Sequence, residues 1–236
     1  MQGRSSETVL VIVTVWLALT VAAAFALPAP PPVPPGVPRG EALPLLRQPM
    51  IRWLLLAVTL IQSSHAVYYA FGTLEWRRLG VPDGIIGALW AMGVAGEVVF
   101  FVFAQNVLKR IDPLALVALA GAGGAVRWTL MSVVTDWPWL MAVQLLHAAT
   151  FACCHLGMMV ILSRAVPITH SATAQGLAAS MAMGLGMGSM MALAGVLYAG
   201  FGSDAYLFMA VVAALGIAAA AMVGRTWHGN ELELAR

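Results

Sequence analysis

Residues 84–107 read GIIGALWAMGVAGEVVFFVFAQNV, an almost wholly apolar run with one ionisable side chain, Glu97, near its middle. As a helix rising about 1.5 Å per residue, such a run is long enough to cross a ~30 Å hydrocarbon core. An ionised carboxylate at that depth costs about 2.5–3.5 kcal/mol. A chain that keeps one there needs a partner or a proton to offset the cost, which makes Glu97 the first functional candidate. The bland alternative is a carboxyl that snorkels or stays protonated at a helix contact. Its mid-span position and short stem argue against that.

The rest of the composition agrees with a membrane setting. The chain is 61% hydrophobic and 9% charged, with a mean hydropathy of +0.88. Soluble domains carry about 25% charged residues. The net charge of +2 is too small to suggest nucleic acid as a partner. Cys153 and Cys154 are adjacent inside an apolar run, so they form no disulfide framework and read as small packing residues.

Seven apolar runs are long enough to span: 8–27, 52–74, 84–107, 113–134, 138–162, 173–199 and 205–224. All are expected to be helical, because lipid offers backbone groups no other partner. Numbering the sides by alternation puts Arg39, Arg47, Arg52, Lys109, Arg110, Arg164, Arg225 and Arg236 on one side, and only Arg4, Arg77 and Arg78 on the other. Eight against three makes the first side cytoplasmic. The N-terminus is then outside and the C-terminus inside. Arg4, the apolar stretch and Ala22-Ala23-Ala24-Phe25-Ala26 also resemble a cleavable signal peptide. Cleavage there would leave the eight basic residues outside, so an uncleaved first span is preferred.

Residues 28–49 hold nine of the thirteen prolines, a composition expected to avoid helix and favour extended polyproline II. The expected organisation is a first transmembrane helix over 1–27, a Pro-rich cytoplasmic linker over 28–51, a six-helix bundle over 52–224 and a cytoplasmic tail over 225–236. Short connections between the later spans favour antiparallel neighbours. Gly121-Ala122-Gly123-Gly124 lacks the preceding strand of a nucleotide loop and reads as a packing face. In the sixth span Gly184, Gly186 and Gly188 alternate with methionines, which suits adaptable packing better than a soft-metal ladder.

Several polar residues fall inside spans. Gln62, His65 and Tyr69 share one face of the second, with Ser64 and Tyr68 flanking. Arg127 lies in the fourth, on a helix otherwise without charge. Gln144, His147, Phe151 and His155 form a stripe on the fifth, with Thr150 beside it. Each His alone could be an interhelical hydrogen bonder. By depth, Glu97 lies roughly 3 Å to the cytoplasmic side of its span's midpoint, and Arg127 and His147 on the order of 5 Å to the outer side. A guanidinium covers that offset, so Arg127 is the expected direct partner of Glu97, with His147 in reach. Such a carboxylate can exchange a proton when its surroundings rearrange.

Other chemistries fare less well. A retinal protein needs a lysine within a span, and Lys109, the one lysine, sits at a loop. A haem-binding protein could use His65 and His147 as paired ligands, which stays open as a minor alternative. No nucleophile–base or metal-ligand constellation points to an enzyme, and no cofactor is implied.

These residues carry a family resemblance. Gln62-Ser63-Ser64-His65-Ala66-Val67-Tyr68-Tyr69-Ala70-Phe71 resembles the start of the C-terminal half of phenylpropionate-permease-like proton symporters of the major facilitator superfamily. Ile86-Gly87-Ala88-Leu89-Trp90-Ala91-Met92-Gly93 with Glu97, Arg127-Trp128, Gln144-Leu145-Leu146-His147-Ala148, His155-Leu156-Gly157 and Ala174-Gln175-Gly176-Leu177 continue it. The resemblance implies helices six to twelve of a twelve-helix carrier, with the Pro-rich stretch as the central loop. It also resembles the lactose-permease arrangement of carboxylate, Arg and His on helices eight, nine and ten, here Glu97, Arg127 and His147. That family has a further carboxylate three residues after the His, where this chain has Thr150.

The fold expected is therefore all-α and polytopic, half of a major facilitator fold. The function expected is proton-coupled symport of a small organic solute (an aromatic acid, nucleoside or sugar) in a bacterial inner membrane, with an N-terminal six-helix half as partner. Glu97, Arg127 and His147 are the proton-coupling candidates, and Gln62, His65, Tyr69, Gln144 and Arg127 the substrate-binding ones. The alternative is a non-transporting, truncated membrane protein that serves as an interaction partner. The charge asymmetry makes a direct prediction. Cysteines placed at Arg39 and Asn230 should resist impermeant thiol reagents applied to intact cells, and ready labelling of either reverses the orientation.

Overall fold

The computed structural model describes residues 2–26 and 41–234, which fall in two compact units, Met1–Pro38 and Arg39–Arg236. Among the described residues every regular element is helical. The first unit is helix α1 (Gln2–Ala26), apolar from Leu10 to Ala26, a stretch shorter than the five long apolar runs of the second unit. The hydroxyl of Thr20 is satisfied within the helix by donating to the Trp16 carbonyl at 2.8 Å. The proline-rich core of the expected linker, through residue 40, lies outside the described residues.

The end of that linker departs from expectation. Ala42–Arg47 forms a short helix, α2, where extended chain was expected. Pro44 falls in its first turn, where no intrahelical N–H is needed, and Leu45 is fully buried. Gln48 is extended, as a residue before proline prefers, and Pro49 opens the next helix.

The second unit then runs α3 (Pro49–Ser63), α4 (Ala66–Arg78), α5 (Asp83–Val102), α6 (Ala104–Leu108), α7 (Pro113–Val133), α8 (Trp137–His147), α9 (Cys153–Ala165), α10 (Ser171–Ala179), α11 (Met187–Phe201) and α12 (Ala205–Thr226). Five continuous helical runs are long and apolar enough to cross a membrane: Pro49–Arg78, Asp83–Val102, Pro113–Val133, Trp137–Ala165 and Ile168–Thr226. The last has 59 residues, or ~88 Å of helix, far more than one bilayer crossing. It contains the sixth and seventh expected spans, divided at Gly202, whose φ of +56° turns the chain. The chain is an integral membrane protein.

Packing order differs from chain order. α12 lies against α7 and α3, α5 against α8, and α11 against α4. Two apolar clusters result. One gathers Leu54, Ile61, Leu116, Ile161 and Val223, and the other Tyr68, Leu89, Trp128, Met209 and Ala213. Along the second, fourth and fifth spans the chain passes from one cluster to the other through buried polar residues: Gln62 to His65, Arg127, and Gln144 to Thr150. The site is this polar layer.

Three spans lose regular α geometry beside that layer. The second breaks at Ser64–His65, the fifth has a π-helical turn at Ala148–Ala152, and the sixth another at Ser180–Gly186. At the break, side chains take the hydrogen bonds that the helix gives up. Ser64 Oγ donates to the Ile61 carbonyl at 2.6 Å, and His65 Nδ1 lies 3.0 Å from the Gln62 carbonyl.

The Gly121–Gly124 segment packs as expected, with α7 laid on α12. A Cβ at Gly121 would meet Ile217 Cγ1 at 2.6 Å and the Ala213 carbonyl oxygen at 3.0 Å. Gly121→Ala should therefore destabilise the purified protein by about 1–3 kcal/mol in spite of alanine's better helix propensity. Gly188→Ala, which would meet nothing within 4 Å, should not. Equal melting of the two variants in detergent would show that this contact does not limit the fold.

Candidate functional site

Arg127 stands at the centre of the polar layer and has no exposed surface. Its guanidinium lies 4.5 Å above the Tyr68 ring centroid and 4.7 Å from that of Trp128, both cation–π distances. Nη2 donates to Gln144 Oε1 at 2.8 Å, and Nη1 to His147 Nδ1 at 2.7 Å and Thr150 Oγ1 at 3.3 Å. Nε has no partner. Gln144 is held in turn by Met131, whose sulfur accepts from Nε2 at 3.6 Å.

The expected direct contact between Arg127 and Glu97 is not there. Among the described residues Glu97 pairs with His147 instead, Nε2 to Oε1 at 2.7 Å. The reason is helix placement. α5 packs on α8, and Gly93 leaves room for the imidazole, since a Cβ there would sit 3.3 Å from His147 Cδ2. One turn on, Glu97 meets the same ring from its other edge. The imidazole stands between carboxylate and guanidinium and touches both.

That arrangement fixes a tautomer. A guanidinium only donates, so His147 Nδ1, facing Arg127, must accept and carries no hydrogen. Nε2 then carries it and donates to Glu97. The series runs from cation through neutral imidazole to carboxylate. His147 cannot take a second proton at Nδ1 without releasing Arg127, whereas Glu97 can take one without disturbing that contact.

His65 is fixed in a similar way. Its Nδ1 faces the carbonyls of Ile61 and Gln62, which only accept, so Nδ1 donates and Nε2 accepts from the Thr150 hydroxyl at 3.0 Å. The ring stacks on Tyr69 with centroids 5.6 Å apart and stands edge-on to Trp128 at 4.9 Å. Trp128 Nε1 donates to Ser64 Oγ at 2.9 Å. The structure thus brings together Glu97, Arg127, His147, Gln144, His65 and, at the margin, Tyr69. Gln62 and His155 do not contact the guanidinium; they line an adjoining cavity.

The haem alternative does not fit these residues. Both Nε2 atoms are engaged, and the two imidazoles are in contact, with centroids 5.4 Å apart, so no porphyrin fits between them.

A family model described as the MFS_1 like family matches residues 7–210. The chain belongs to this family. The "Probable 3-phenylpropionic acid transporter" of Escherichia coli (strain K12) is 35% identical over 172 residues, 72% of this chain and 44% of that relative. The chain thus spans less than half the length of the curated relative it matches, and the expected phenylpropionate-permease-like resemblance is met. In this MFS_1 like chain, the position where the lactose-permease pattern has a carboxylate is Thr150, which is fully buried and bonded to both Arg127 and His65. Its place at i+3 from His147 was the signal for that role.

A second polar contact went unread because the second expected span, 52–74, stops one residue short of Glu75. Glu75 lies in the last turn of α4, buried, accepting from Arg78 Nη2 at 2.6 Å and Nε at 2.9 Å and from Tyr198 OH at 2.6 Å. With Phe71 stacked on Tyr198 at 4.5 Å, this ties α4 to α11.

Proposed function

We propose that the chain forms one half of a secondary carrier, operating by alternating access, that couples proton movement to symport of a small organic solute. An N-terminal six-helix half would supply the facing wall. The family supports a carrier rather than an enzyme, and the name of the Escherichia coli relative makes an aromatic acid the first solute to try. The bacterial inner membrane, with the N-terminus outside and the C-terminus cytoplasmic, is the setting that the basic residues favour.

The observation that carries the reading is His147 held between Arg127 and Glu97. In the resting arrangement Glu97 is ionised and accepts from the imidazole. A proton arriving at Glu97 removes the negative charge that faces His147 and so weakens what holds α5 to α8. A proton arriving at His147 instead expels Arg127. Either event links proton occupancy to how these helices meet, which is what coupling requires. Broken and π-helical segments at the same level are where spans can re-pack without leaving backbone groups unpaired in lipid.

The test is Glu97→Gln in the assembled carrier reconstituted in liposomes. The amide keeps the size and accepts from His147 but cannot gain or lose the proton. Uphill, proton-driven accumulation should be lost while exchange of internal for external solute largely survives. Near-normal accumulation would mean Glu97 is structural, and loss of exchange as well would make it a solute-binding group.

A further inference from the structure

Beside the polar layer, toward the cluster around Leu54 and Ile161, lies a cavity of about 580 Å³. This is within the range of small-molecule sites, about 300–1,000 Å³. Its walls come from the same three spans that are irregular. Gln62 lies in the last turn of α3, just before the break. Phe151 belongs to the Ala148–Ala152 π turn, and Met183 to the Ser180–Gly186 π turn.

The lining is mostly apolar, with Met158 and Met183 as adaptable surfaces and Phe151 stacked on His155 at 6.2 Å. Among the described residues no Asp, Glu, Lys or Arg lines it. Arg127, the charged group expected to meet an anionic solute, is fully buried and engaged with His147, Gln144 and Thr150, away from the cavity. Polar function in the lining comes from Gln62, His155 and Gln175.

Gln62 is the informative one. It is 5% exposed, and its Oε1 is a buried acceptor with no hydrogen-bond partner among the described residues. An unpaired buried acceptor costs on the order of 1–3 kcal/mol and is relieved only by a donor. We propose that this cavity binds a solute with an apolar body and an uncharged hydrogen-bond donor, a hydroxyl or a carboxyl in its protonated form, which donates to Gln62 Oε1 once the buried amide turns toward the cavity. This rests on reading the chain as part of a solute carrier and narrows the solute class. A sugar, with hydroxyls on every side, would strand most of them on methionine and alanine, and an ionised carboxylate would meet an acceptor. A bound ring touches Phe151, whose own ring lies 5.8 Å from that of His147, so occupancy is felt at the relay.

The test uses the full chain in lipid nanodiscs, with both native cysteines replaced by alanine and Met183→Cys introduced into the cavity wall. Alkylation by N-ethylmaleimide is followed near neutral pH with three probes: 3-phenylpropan-1-ol, ionised 3-phenylpropionate and propylbenzene. The alcohol should slow alkylation at about tenfold lower concentration than either of the others, the worth of one buried hydrogen bond. Gln62→Met should erase that margin. The proposal is overturned if no probe protects, if the ionised acid protects best, if alcohol and hydrocarbon protect equally, or if the margin survives Gln62→Met. Should that variant fail to fold, the comparison of probes on unaltered Gln62 decides alone. Protection by the alcohol without transport by an assembled carrier would sink the carrier reading and leave the cavity site standing.

Discussion

A guanidinium with no exposed surface, placed inside a membrane span, has to be answered by the protein itself. Arg127 is answered on its faces by Tyr68 and Trp128, and in its plane by His147, Gln144 and Thr150. Breaking a buried, hydrogen-bonded charge contact from one side costs about 3–5 kcal/mol, so these partners have little freedom to be elsewhere. Gln144, His147 and Thr150 recur at three-residue steps because one guanidinium must be reached from one helix. Trp128 in turn binds Ser64, which secures the break in the second span. The polar layer is thus held by one cation.

The same layer separates the two apolar clusters. On either side of it the spans pack as ordinary membrane helices, with glycine allowing close approach, as at Gly121. Beside and within it, regular helix is interrupted in three spans. Side chains can carry the backbone's hydrogen bonds there, and His65 does so while also accepting from Thr150. Non-regular backbone in a membrane protein is tolerated where protein or a cavity surrounds it, and here both do.

Much of this was legible in the sequence. Hydropathy located the five long apolar helical runs because an apolar run of bilayer length has few other uses. The stripes on the second and fifth spans named most of the layer because helical period fixes which side chains share a face. What depth could not supply was azimuth. Glu97 and Arg127 lie at compatible depths, which suggested a direct pair, but α5 faces α8, so His147 comes between them. Thr150 looked like a missing carboxylate because its value lies in accepting and donating at once. The break at Ser64–His65 was hidden because the residues that repair the backbone are the ones that also look like a binding stripe. Ala42–Arg47 was misjudged because proline count outweighed the tolerance of a helix's first turn for proline.

The central claim is that His147 is neutral, bare at Nδ1 toward Arg127 and protonated at Nε2 toward Glu97. Solid-state ¹⁵N NMR of histidine-labelled protein in lipid reads this directly, with His147→Gln identifying the signals. The account predicts one imidazole with an unprotonated, hydrogen-bond-accepting Nδ1 and a protonated Nε2, and loss of that accepting signature in Arg127→Leu. A doubly protonated ring, or a hydrogen on Nδ1, would contradict it, because neither can face a guanidinium at 2.7 Å.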